Sequence, residues 1–194
     1  MTIRLVYVGK ENVTPAVAAA LQPKVEATYK KVAPKGVQVS VTGRFESIKE
    51  AQKHPKTSGT VVIFVLGKEA GRKGGLGPRL IENHSGKKLG AQQKAQVQGR
   101  VDEGRGAAIV GGNVGVASAE NALTDTEVDV EQASDFGAAL INHEIGHALG
   151  LRDTRDNHMM DDRLGASETP TPPNSHDRKK LADELKKLQG SVKH

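Results

Sequence analysis

His143-Glu144-Ile145-Gly146-His147-Ala148-Leu149-Gly150-Leu151-Arg152-Asp153 decides how this chain is read. On a helix, residues four apart share a face, so the imidazoles of His143 and His147 project toward one point and can reach one metal ion. Glu144 stands beside them, set to take a proton from water at the metal rather than to bind the metal itself. Gly150 lets the chain leave the helix through the left-handed backbone region. That turn can bring Asp153 back as a third ligand. Three protein ligands with a fourth position open is the arrangement of a catalytic zinc site, whereas structural zinc sites are closed. With 7 histidines in 194 residues, chance seldom produces this spacing together with a glycine three residues on and an aspartate three beyond.

These residues, followed by Asn157-His158-Met159-Met160, resemble the signature of the metzincin clan of zinc metallopeptidases, HExxHxxGxx(H/D) with a methionine turn downstream. The likeness covers residues 134 to 162, and Asp153 stands where most of the clan has histidine, as in the branch typified by snapalysin. The resemblance implies zinc as cofactor, His143, His147 and Asp153 as its ligands, and Glu144 as the general base. It implies a methionine floor beneath the metal; Met159 fits the Asn-x-Met form better, with Met160 as the alternative. The implied fold is α+β: a twisted, mostly parallel β-sheet with a backing helix and an active-site helix, then a small C-terminal lobe with the methionine turn and a terminal helix. On that pattern residues 1–194 form a single catalytic domain, with 1–150 as the N-terminal lobe and 151–194 as the C-terminal lobe. The implied activity is endopeptidase hydrolysis of a protein or peptide substrate. Some clan members add a tyrosine after the methionine turn. Here Asp161 and Asp162 follow, and the only tyrosines are Tyr7 and Tyr29, so that group is not expected. A rival third ligand is Glu168, 21 residues past His147, the spacing of another HExxH clan; Gly150 and Met159 favour Asp153. His158 also lies within reach in sequence, but inside the turn.

Composition narrows the alternatives. Hydrophobic residues make up 36% and aromatics 3%, so the core must lean on Val, Ile, Leu and Ala. No cysteine is present, which excludes disulfides, thiolate zinc sites and a cysteine latch. The chain opens directly in a strand pattern, with neither a signal-peptide pattern nor an apolar run long enough to span a membrane. A soluble monomer with no membrane partner is expected, cytoplasmic as written, with non-classical export or a mature fragment left open. The net charge of +5 permits a function of another class, a non-catalytic basic protein that keeps a metal site and binds nucleic acid or an acidic partner. The basic residues lack the interleaved aromatics on which single-strand binders stack bases, so nucleic acid is not expected.

In chain order, Ile3 to Val8 is a β-branched run ended by Gly9, a buried strand. Thr14-Pro15 reads as a helix cap with proline in the first turn. Val17, Leu21, Val25 and Tyr29 then recur at helical spacing, interrupted by Pro23. Val37 to Thr42 alternates as a second strand, and Thr60 to Leu66, apolar nearly throughout, reads as a central third. Residues 67–106, punctuated by glycine and rich in Lys, Arg and Gln, read as a long surface loop, mobile or acting as a flap over substrate. Ala107 to Val110 and Val114 to Ala117 read as two short strands across Gly111-Gly112-Asn113, or one bulged strand. By the resemblance, Ala107, Ala108, Ile109, Val110 and Gly111 form an edge that receives an extended substrate. The alternating acidic residues from Thr124 to Glu131 read as a solvated face. Ser134 or Asp135 is expected to cap the histidine helix, with Ile141, Ile145, Ala148 and Leu149 as its buried stripe. Ser167 to Ser175 reads as an extended connection, and His176 to Gln189 as a helix stopped by Gly190.

Overall fold

β-branched residues crowd the first third of the chain and build the sheet on which the histidine helix packs. The computed structural model describes residues 1–9, 13–118, 129–155, 158–160 and 172–190. Strands β1 (Thr2–Val8), β2 (Ser40–Glu46), β3 (Thr60–Leu66), β4 (Gly106–Ala108) and β5 (Val114–Ser118) form one sheet in the order β2-β1-β3-β5-β4. The first four in that order run parallel, and β4 closes one edge antiparallel to β5. β3 is central, as its unbroken apolar run predicts, and all of its residues are buried.

Alternation along the strands divides the core in two. Ile3, Leu5, Ile63 and Val65 face one side, where helices α1 (Pro15–Val32), α6 (Val130–Ala148) and α7 (Ser175–Gly190) pack. Val6, Val8, Val62, Phe64 and Leu66 face the other, where α4 (Leu76–Ser85) and α5 (Ala91–Asp102) pack. Residues two apart on a strand point the same way, so one sheet supplies both cores. Two four-residue helices, α2 (Ile48–Ala51) and α3 (Lys68–Gly71), complete the described elements. No helix among the described residues is long and apolar enough to cross a membrane.

Local chemistry sets the helix ends. Thr14 Oγ1 accepts from the Val17 amide at 3.2 Å, and Pro15 opens α1, because a first-turn amide needs no helical acceptor. Pro23 lies inside α1 without ending it. β2 begins at Ser40, later than the pattern from Val37 suggests, because its register pairs Ser40 with Thr2 at the start of β1.

The largest departure is at residues 67–106, which hold α3, α4 and α5 rather than a long loop. Glycine density hid them. Gly75 (φ 76°) and Gly86 (φ 72°) bracket α4 as left-handed caps, a conformation glycine adopts without steric cost. Between them Leu76, Leu80 and Ile81 are buried. α5 is built of Ala, Gln, Lys and Arg, good helix formers without an apolar stripe, and is fixed by buried Val101 and by Glu82, which pairs with Lys94 at 3.1 Å. A second departure concerns the histidine helix. It starts at Val130 after Asp129, so Ser134 and Asp135 lie within it and cap nothing. Ser134 instead donates to the Glu131 carbonyl at 2.8 Å, and Asp135 pairs with Lys24 of α1 at 2.5 Å. Most of the acidic stretch from Thr124, and most of the connection from Ser167, lie outside the described residues. α7 matches its expected helix and buries Leu181 and Leu185 in the same cluster as α1.

Beneath α4 lies a buried polar group. Glu46, at the end of β2, accepts from His54 Nδ1 at 2.8 Å and from Arg44 Nε at 2.8 Å. His84 sits beside His54 against Phe64, its Nδ1 buried with no partner among the described residues. Burial first, then the charges of His54, Lys56 and Arg4, push the His84 pKa down to about 4 from its ordinary 6.5. The unfolded chain therefore binds this proton before the folded one does. The stability contribution is whole above pH 6.5 and is lost as pH falls toward about 4. Urea unfolding is expected to show stability declining across that window, and His84→Met should flatten the decline. An identical decline in wild type and variant would contradict the assignment.

Candidate metal centre

α6 carries His143 and His147 on the face opposite its buried stripe of Ile141, Ile145 and Ala148. Where the helix ends, Gly150 adopts φ 96° and its amide donates to the His147 carbonyl at 2.8 Å. The Leu151 amide donates to the Gly146 carbonyl at 2.9 Å. This pairing ends a helix through a left-handed residue, and it folds Leu151 and Asp153 back over the last turn. Lys180 of α7 fixes the reversal by donating to the Gly150 carbonyl at 2.5 Å.

The side chains that result face one another. His143 Nε2 and His147 Nε2 are 3.0 Å apart, and Asp153 Oδ1 lies 3.2 Å from the first and 3.1 Å from the second. The other nitrogen of each ring is tied to the backbone: His143 Nδ1 to the Met159 carbonyl at 3.0 Å, and His147 Nδ1 to the Leu151 carbonyl at 3.1 Å. A carbonyl can only accept, so each Nδ1 carries the hydrogen and each neutral ring turns a lone pair inward. Three acceptors thus converge, and a cation is what satisfies them. Outer carbonyls that orient ligating imidazoles are the usual support of a metal site. Among the described residues, this is the one group of three or more His, Cys, Asp or Glu whose ligand atoms all lie within 4.8 Å of one another. Two imidazoles and a carboxylate fit zinc.

Glu144 is 1% exposed, and its Oε2 is buried with no partner among the described residues. Burial pushes its pKa up, while His143, His147 and Arg100 pull the other way. Burial opposes charge on His147, but Asp153 first and then Glu144, with the Leu151 carbonyl, outweigh it and raise its pKa. In the absence of a metal, a proton taken up at Nε2 of His143 or His147 would donate to Asp153, and this pairing holds Asp153 well below the usual carboxylate range. A site that draws a proton between these groups also draws a metal ion, which competes for the same lone pairs.

The two methionines divide their tasks. Both are buried. Met159 supplies the carbonyl that orients His143, and the Met160 sulfur packs so closely on Gly146 that a side chain there would collide with it. The Met160 carbonyl also accepts from the Thr154 amide at 2.7 Å, linking this turn to the Asp153 segment. Glu168, Asn157, Asp161 and Asp162 lie outside the described residues.

The sheet edge stands beside the same helix. β4 is the terminal strand, but of the five edge residues expected from sequence only Ala107 and Ala108 belong to it. Ile109 to Gly112 form a turn, closed by the Gly112 amide on the Ile109 carbonyl at 2.8 Å. Gly111 donates its amide to the His147 carbonyl at 2.9 Å, and Asn113 to Ala148 at 3.1 Å. Gly111 is therefore committed to holding the helix end and has no amide to offer a ligand. Ala107 pairs with Val116, the Arg105 carbonyl accepts from Ser118, and Ile109 donates to Val114. Antiparallel pairing alternates, so Gly106 and Ala108 turn their amides and carbonyls away from β5. Val110 is 52% exposed at the turn.

Sequence reasoning missed three contributors: the Leu151 carbonyl, Arg100 and Gly106. Arg100 of α5 brings Nη2 to 4.0 Å from Asp153 Oδ2. At Gly106 a Cβ would lie 2.5 Å from Glu144 Cγ and Oε1, so the absent side chain leaves the room that Glu144 occupies. No local pattern signals Arg100 or Gly106, because each meets the site only through the fold, whereas the Leu151 carbonyl returns to His147 locally, through the Gly150 turn.

No protein-family model matches this sequence, and neither does any curated protein. Solved structures do. An archaemetzincin from Methanopyrus kandleri superposes with TM-score 0.59 at 15% identity, covering 96% of this chain and 96% of that one. An archaemetzincin from Archaeoglobus fulgidus gives 0.55 at 15% identity, covering 93% and 99%. A zinc-dependent peptidase from Methanocorpusculum labreanum gives 0.55 at 12% identity, covering 92% and 99%. The chain has the mixed α+β fold of these proteins, with its mostly parallel five-stranded sheet.

Gly106→Ala tests the tight contact with Glu144. Overpacking is expected to cost about 1–3 kcal/mol in denaturant unfolding, and a crystal structure of the variant should show the Glu144 carboxylate displaced. A variant of unchanged stability with Glu144 in place would contradict it.

Proposed function

We propose that this chain is a zinc-dependent endopeptidase in which Glu144 is the general base. One observation carries the reading: His143 Nε2, His147 Nε2 and Asp153 Oδ1 converge within 3.2 Å of one another beside a buried carboxylate with a free oxygen. Support comes from the structural neighbours, named as archaemetzincins and as a zinc-dependent peptidase, and from the methionine turn under the site.

A zinc ion held by His143, His147 and Asp153 supplies Lewis acidity, which acidifies water and polarises a scissile carbonyl. The remaining work falls to the chain. Glu144 accepts the proton of the attacking water through its free Oε2 and returns it to the leaving amine. Its burial raises its affinity for a proton, which suits a base that must later act as an acid. Asp153 adds a negative charge where a third imidazole would be neutral, and this tempers the acidity available. The Met159 and Leu151 carbonyls keep both imidazoles in one tautomer and one orientation.

Substrate joins as a strand on β4. The outward amides and carbonyls of Gly106 and Ala108 bond to an extended peptide, as strand addition at a free edge requires. The exposed side chain of Val110 offers it an apolar contact.

With the zinc-loaded protein and a generic peptide library, Glu144→Gln is expected to lose about 10²–10⁴-fold in turnover while binding zinc as wild type does. Retained cleavage in this variant, or in chelator-treated wild type, would sink the reading. A wild type that cuts nothing yet binds nucleic acid with a steep salt slope would favour the basic binding protein. Separately, Ala108→Pro removes an outward amide and no bond to β5. KM for extended peptides should rise about tenfold, the worth of one hydrogen bond, with zinc affinity unchanged; an unaltered KM would remove β4 from the substrate path.

A further inference from the structure

We infer that Arg100 is a second electrophile of this site, stabilising the negative charge that gathers on the scissile carbonyl oxygen during peptide hydrolysis. The inference rests on the peptidase reading above and adds to it a residue from the other core.

Arg100 sits near the end of α5, and its Nη2 is 4.0 Å from Asp153 Oδ2, the carboxylate oxygen turned away from the histidines. At that distance the guanidinium is close enough to feel the site and too far to be spent on a hydrogen bond. Among the described residues no hydrogen bond occupies its donors, and Arg100 and Asp153 are 35% and 37% exposed.

The backbone that carries Arg100 is held in place. Val101, the next residue, is fully buried. Gln98, one half-turn before, donates to Asp102 at 2.6 Å and to the Gly71 carbonyl at 3.2 Å, and accepts from Gly75 at 2.8 Å. The Arg100 carbonyl accepts from Arg105 at 2.8 Å, which starts the chain toward β4. A donor on a braced helix can be aimed before the charge develops, and preorganised donors of this kind contribute most to stabilising it.

Charge and inventory point the same way. An aspartate in the ligand set leaves the centre one unit more negative than three imidazoles would, and a guanidinium beside it restores that unit. Neither tyrosine can serve as the donor: both are fully buried, with Tyr7 Oη toward the Ala18 carbonyl and Tyr29 Oη bonded to the Asn142 carbonyl.

The test uses the zinc-loaded full chain, Arg100→Met, Arg100→Lys and Arg100→Ala, with peptide kinetics, zinc titration and calorimetric binding of a peptidyl phosphonate. That probe's tetrahedral, anionic phosphorus centre mimics the charged transition state. Arg100→Met is expected to lower kcat and phosphonate affinity together by about 10²–10³-fold, with KM and zinc affinity unchanged. Arg100→Lys should fall between, and added guanidinium ion should restore part of the Arg100→Ala rate. The inference is overturned if phosphonate affinity is unchanged. It is overturned if zinc affinity falls in step, since Arg100 then acts only by orienting Asp153. It is overturned too if the loss is confined to KM for acidic peptides. Cleavage by wild type and Arg100→Met alike would defeat this inference alone, whereas a zinc-loaded wild type that cuts no peptide would defeat the peptidase reading with it.

Discussion

Three hydrogen-bond acceptors that face one another without a donor between them are the constraint on which this structure depends. His143 Nε2, His147 Nε2 and Asp153 Oδ1 sit 3.0 to 3.2 Å apart, a separation that neutral rings and a carboxylate do not choose unaided. The surroundings enforce it. Carbonyls of Met159 and Leu151 take the Nδ1 hydrogens, Gly150 reverses the chain, and Lys180 pins the reversal. Elements distant in sequence brace that helix: the Gly111–Asn113 turn bonds to its end, and Tyr29 of α1 donates at 2.9 Å to the carbonyl of Asn142, the residue before His143. One core and the turn after the sheet edge thus hold this helix, as a rigid metal geometry requires.

The parts legible in the sequence were those whose signals are local. Residues Thr60 to Leu66 announce a central strand because nothing polar interrupts them. Thr14-Pro15 announces a helix start because side-chain capping and proline both act within one turn. His143, Glu144, His147, Gly150 and Asp153 announce their grouping because helix period and a left-handed turn bring them together with little help from the rest of the fold. What stayed hidden depends on distant partners. α4 reads as loop because Gly75 and Gly86 mark its boundaries in the same letters that mark disorder, and α5 because only Val101 in it is fully buried. The start of α6 was placed too late because Ser134 resembles a cap, whereas Lys24, far away on α1, draws Asp135 into the helix body. Gly106 and Arg100 carry no signal along the chain at all.

The structural neighbours share the architecture at 12–15% identity. At that distance what persists is the pattern of buried positions and the order of strands. Fold alone does not carry chemistry, so the functional reading stands on the convergence of three ligand atoms and on the Glu144 oxygen that lacks a partner among the described residues. The edge strand and the Arg100 guanidinium become meaningful only once that centre is granted. Each sits where the fold delivers it, one from the antiparallel rim of the sheet and one from the helix packed beneath the opposite core.

The most direct measurement is X-ray absorption at the zinc edge of the loaded protein, with Asp153→Ala alongside. The account requires one tightly held ion with nitrogen neighbours from two imidazoles and an oxygen neighbour that the aspartate variant loses, together with most of the affinity. An ion whose coordination and affinity are the same in both proteins, or one that shows no imidazole scattering, would contradict it.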